Sequence, residues 1–308
     1  MSQMIDFTVP STVPGRTLHA FRCVPEGEVK AVLQLSHGMV EFIDRYKPLA
    51  EYLAGRGILV TGHDHLGHGG SIRTKADYGY FAEPDGNRAV LADLHAMTVR
   101  TKELYPGVPY FLLGHSMVRS MPGSICANTA MSWTEPSSWA PASSPKRWCS
   151  LPRPSAGCWR SFMAGSTAAS SWPTCPLWAT TKAGGPHHPR LAQPRSGRGG
   201  QISGRRTLHL YLYAERYYSM FSGILRLHDP AFLAKMPKDL PLLFLAGDAD
   251  PVGEQGKGVQ RAIQSLKDAG VQNIECKLYP GARHELLVET NHQEVFEDIG
   301  SWLEKHLA

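Results

Sequence analysis

The sequence predicts an α/β protein with a mostly parallel central sheet flanked by helices, on three observations. Short apolar runs bounded by turn residues alternate with longer stretches whose apolar residues recur at helical spacing. The alternation occupies Ala31 to Ser116 and returns from Leu240 to the end of the chain. With 308 residues, 42% of them hydrophobic and 19% charged, the chain can bury one large core.

The run 31–36 is a buried strand, and 46–53 is a helix stopped by Gly55-Arg56-Gly57. Residues 58–61 form a second strand, 89–104 a helix ended by Pro106-Gly107, and 110–113 a third strand entering Gly114-His115-Ser116. Toward the C-terminus, 240–246 is a strand, 255–269 a helix closed by Gly270, 274–279 a strand and 292–307 an amphipathic helix. No apolar run is long enough for a membrane span, and the first residues lack a secretory pattern, so a soluble, cytoplasmic protein is expected.

Residues 119–206 break this grammar. They hold six of seven tryptophans, eleven of 23 prolines and fifteen serines, but no Asp, Val or Tyr. Each proline removes a backbone donor and interrupts a helix, while a solvated linker would not carry so many tryptophans. The segment also concentrates charge: its balance of +10 leaves −5 for the rest, so the net +5 signals no nucleic-acid partner. We read it as a frame-shifted stretch bounded by compensating changes near Val118 and around 207–217. The chain then divides into 1–117, an atypical 118–206 and 207–308. Four of six cysteines fall in the odd segment and none forms a Cys-x-x-Cys pair, so no disulfide framework or metal site is expected.

Ser116 follows an apolar strand directly, where a sharp strand-to-helix turn lifts a serine oxygen clear of the sheet. A serine hydroxyl needs a base, and the base a carboxylate. Asp250 follows the strand 240–246 and His284 follows 274–279, both at carboxyl ends of strands, where open α/β sheets carry their sites. Asp248 competes with Asp250 for the carboxylate role. The Met39 and Met117 N–H groups are candidate oxyanion donors, each worth about 3 kcal/mol in such sites. His65 and His68 fit a structural role better than a catalytic one. No phosphate-gripping glycine motif follows a strand, so no nucleotide cofactor is implied.

Together, His37-Gly-Met-Val-Glu41, Asp64-His-Leu-Gly-His-Gly69, Gly114-His-Ser-Met117, Ala246-Gly-Asp-Ala-Asp250 and Gly281-Ala-Arg-His284 resemble the monoacylglycerol lipase and lysophospholipase branch of the α/β-hydrolases, also called serine aminopeptidase-like. The resemblance covers about 1–117 and 210–308. It implies an α/β-hydrolase fold, Ser116 as nucleophile, Asp250 and His284 as relay, Met39 and Met117 as oxyanion donors, and a lid within 119–206. A small lipid-like ester is the implied substrate; peptides or small esters, within the same fold, are the alternative. Peripheral membrane contact and oligomeric state stay open.

Val118 stands where the family has a second glycine, and the helix and central strand after the serine would come from the odd segment. The expectation is therefore a split sheet, a serine with nothing rigid to hold it against His284, and little activity; a non-functional product of a damaged gene is the further alternative.

Overall fold

The structure is a computed structural model and describes residues 2–83, 85–116, 129–132, 233–234 and 236–307. Among these, eight strands form one sheet: β1 (Gln3–Pro10), β2 (Thr17–Val24), β3 (Ala31–Ser36), β4 (Ile58–His63), β5 (Tyr110–Gly114), β6 (Thr129–Ser132), β7 (Leu242–Gly247) and β8 (Ile274–Tyr279). Their order is β1-β2-β4-β3-β5-β6-β7-β8. The helices are α1 (Lys47–Ala54), α2 (Gly86–Leu104), α3 (Lys257–Asp268) and α4 (His292–Lys305).

The continuous apolar runs become β3, β4, β5 and β7, whose side chains are buried on both faces, and β3, β4 and β5 pair in parallel. Because strand side chains alternate, Leu33, Leu35, Val60, Phe111, Leu113 and Leu245 pack on one face with α1 and α4. Phe244 and Leu112 face the other way, against Val259, Ile263 and Leu266 of α3. Gln34 is buried without penalty, for its Nε2 donates to the Leu94 carbonyl and its Oε1 accepts from Thr98 and Tyr110. This clamp fixes α2 on β3 and β5.

Two features differ from the sequence reading. The N-terminal hairpin β1–β2 was not foreseen; it pairs antiparallel, with β2 antiparallel to β4. β1 is mostly exposed or half-buried, and in β2 the polar His19 and Arg22 interrupt the buried Leu18, Ala20, Phe21 and Cys23, so neither shows the continuous apolar run that betrays a central strand.

The second difference is a correction: the sheet is not split. β6, from within the odd segment, runs antiparallel to β5 from Phe111↔Ser132 to Gly114↔Thr129, and meets β7 at Met131↔Leu242. Backbone pairing needs no particular side chain, so a segment poor in strand formers can still bridge two edges. Met117, Val118 and the expected lid, apart from β6, lie outside the described residues.

Candidate active site

Five loops converge at the carboxyl edge of the parallel strands, four of them beginning where a continuous apolar strand ends. Ser116 follows β5 with φ of 51°, a left-handed conformation uncommon for a residue with a side chain. His284, beyond β8, sets its Nε2 2.9 Å from the Ser116 Oγ and its Nδ1 2.9 Å from the Asp250 Oδ2. Both His284 and Asp250 are largely buried. The expectation that nothing holds the serine against this histidine is therefore corrected.

The Asp250 carboxylate accepts three N–H groups: His284 Nδ1, Val252 at 2.8 Å and Gly253 at 3.1 Å. Burial pushes its carboxyl up, but the bond and charge of His284 and the two backbone N–H groups outweigh burial and hold it below its ordinary value. An ionised Asp250 keeps the proton of neutral His284 on Nδ1. Nε2 is then left to accept from the serine hydroxyl. Asp248 is exposed and accepts the Gly281 N–H at 2.7 Å instead.

The loop after β3 closes against the serine. A Cβ added at Gly38 would lie 2.6 Å from Glu41 Oε1, 2.9 Å from His115 Nδ1 and 3.0 Å from the Ser116 Cβ. Only a glycine lets that backbone come so near. Across the site, a Cβ at Gly247 would meet the Ala282 carbonyl at 2.1 Å. Ala249 N–H also donates to that carbonyl at 3.0 Å, so the end of β7 grips the histidine loop.

Around these groups lies a charged network that sequence reasoning missed. Glu41 accepts from the Gly38 N–H, His115 Nδ1, Tyr46 Oη and Arg45 Nη1, and Arg45 forks onto Glu285 at 2.8 and 3.0 Å. Burial works against both charges of the central pair. Even so, the Glu41 charge and hydrogen bond raise His115 above its ordinary value, and His115 with Arg45 holds Glu41 well below the carboxylate range. Both ring nitrogens of His115 face acceptors, Nδ1 the Glu41 carboxylate and Nε2 the His284 carbonyl, an arrangement that suits a protonated imidazole. Glu41 and His115 stood inside recognised motifs, but Arg45 and Glu285 carried no signal, being 240 residues apart.

The Asp64 loop serves as a frame. Asp64 Oδ1 accepts the Ile43 N–H and Oδ2 the Gly70 N–H, each at 2.7 Å. His37, His65 and His68 pack together beneath the site with ring centroids 4.2 and 5.3 Å apart, as expected of structural histidines.

The sheet, its flanking helices and the loops at its carboxyl edge have the architecture of the α/β-hydrolase fold. A carboxyl esterase from Bacillus coagulans, solved in complex with glycerol, superimposes with a TM-score of 0.69 over 100% of both chains at 19% identity. Residues 27–162, less than half of the chain, match the family described as serine aminopeptidase, S33. A monoglyceride lipase homolog of monkeypox virus is 44% identical over 91 residues, which are 29% of this chain and 30% of that protein. Human monoglyceride lipase is 39% identical over 100 residues, 30% of this chain and 29% of the relative. The chain thus matches about a third of the length of these curated relatives. Among the described residues, no helix is long and apolar enough to cross a membrane.

Proposed function

We propose that the protein is a serine ester hydrolase of the monoacylglycerol lipase and lysophospholipase type, acting through an acyl-enzyme. The Ser116 oxygen attacks the ester carbonyl carbon as its proton passes to His284 Nε2. The imidazolium, oriented and balanced by Asp250, gives that proton to the departing alcohol. Water, deprotonated by the same nitrogen, then releases the acid and restores the serine. The Met39 N–H is one donor to the developing oxyanion; Met117, the proposed second, lies outside the described residues. The observation that carries this reading is the unbroken relay Ser116 Oγ, His284 Nε2, His284 Nδ1, Asp250 Oδ2, with both contacts at 2.9 Å. A small lipid-like ester as substrate is supported by the names of the sequence relatives.

Labelling with a fluorophosphonate tests the proposal, because only an activated serine reacts. Labelling of the full chain that disappears in Ser116→Ala, with hydrolysis of a monoacylglycerol ester, is the expected result. An unlabelled, folded chain would favour the inert product of a damaged gene. Comparison of long-chain with short-chain esters then separates a lipid substrate from a small one.

A further inference from the structure

The face of the sheet beneath α2 is not filled continuously. One apolar cluster, with Leu18, Leu66 and Leu94, packs against the first half of the helix, and another joins Val32, Leu59 and Tyr110. Between them runs a groove with a volume of about 240 Å³, open to solvent on one side. Phe7, Arg22 and Leu59 form its floor, and Met97, Arg100 and Leu104 of α2 its wall. Leu104 is 54% exposed, one of two large apolar side chains left so among the described residues.

Arg22 gives the groove its chemistry. Its guanidinium carbon stands 5.6 Å from the centre of the Phe7 ring, and its Nε is buried with no hydrogen-bond partner among the described residues. Arg100 adds a second positive charge, and no carboxylate lines the walls. Asp6, next to Phe7 in sequence, is engaged elsewhere by Lys47 at 2.8 Å. α2 ends at Leu104 and the chain re-enters the sheet at Tyr110, four residues before β5 delivers Gly114, so the groove lies toward the edge opposite Ser116.

The geometry points to a binding site for a single-chain amphiphile with an anionic head, a medium-chain carboxylate. Its head engages Arg22 and Arg100, and its tail lies along Leu59, Met97 and Leu104. Charge selects the occupant: two arginines facing apolar walls favour a carboxylate over a neutral or cationic amphiphile. The site stands independently of the hydrolytic reading.

Dodecanoate with a diazirine at its chain end tests this on the full-length protein. Photo-cross-linking is expected to label peptides spanning 5–24 or 92–109. Arg22→Gln and Arg100→Gln should each weaken dodecanoate binding, measured by titration calorimetry, about tenfold, as expected for loss of one charge-assisted contact. Dodecyltrimethylammonium should not compete. Cross-links confined to other peptides, unchanged affinity in the variants, or equal competition by the cation would overturn the proposal. Arg100 is exposed on the helix, so its variant decides the matter even if Arg22→Gln does not fold.

Discussion

The Nε2 of His115 lies 3.3 Å from the carbonyl oxygen of His284, so the residue before the proposed nucleophile holds the backbone of the proposed base. His115→Phe deletes this bond and leaves the Glu41 carboxylate buried without its imidazolium. Removing one partner of a buried ion pair costs about 3–5 kcal/mol. Urea unfolding should register a loss near the lower end, since Arg45 still faces Glu41. Below the unfolding transition, the rate of fluorophosphonate labelling should fall by about tenfold or more, and His115→Gln should be intermediate.

Asp250 and Asp248 are separable by a single amide. Asp250→Asn presents an N–H donor to His284 Nδ1, favours the wrong tautomer and should lower kcat on p-nitrophenyl butyrate on the order of 10⁴-fold. Asp248→Asn should change it by roughly threefold at most, because an exposed amide oxygen still accepts the Gly281 N–H. Equal losses in the two variants would reject the assignment.

Two glycines are expected to be irreplaceable for steric reasons. In Gly247→Ala the new methyl would collide with the Ala282 backbone, and the His284 loop must move. In Gly38→Ala it would press on Glu41, His115 and Ser116 together. Labelling of Ser116 should slow on the order of 10²-fold in each, since displacing a reacting group by about 1 Å costs that much. Rates within twofold of the parent would show that the loops yield freely.

Acid should destabilise the fold through its buried imidazoles. Burial lowers His37 to about 3 and His63 to about 4, and pushes His65 well below its ordinary value. The unfolded chain protonates these groups near pH 6.5 and the folded chain does not, so stability is present above that pH and is lost as pH falls toward 4. Asp64, raised by burial to about 6, opposes this in part, and His115 opposes it too, being raised. Three groups against two predict a lower urea midpoint at pH 5.0 than at pH 7.5. Both ring nitrogens of His63 are buried and unpartnered among the described residues, so His63→Leu should narrow the difference. A midpoint that stays level or rises in acid would refute this account.

Much of the site was legible because Ser116 and Asp250 each follow a continuous apolar strand and His284 follows an alternating one, all bounded by turn residues. The rest was not. The hairpin β1–β2 carries no continuous apolar run. The bridging strand β6 comes from residues whose composition argues against any sheet, since its pairing is made by backbone groups that composition does not describe.

The sequence by itself determined the strands β3, β4, β5, β7 and β8, the chain order serine, aspartate, histidine, and the turns that end those strands, because these follow from side-chain periodicity and from residues adjacent in the chain. Only the tertiary structure decided that Asp250 rather than Asp248 meets His284, that Glu41, His115, Arg45 and Glu285 share one charged network, and that Arg22 faces an unfilled groove. Those outcomes depend on which distant side chains share a small volume. That is set by the stacking of helices on a common sheet, and no local pattern encodes it.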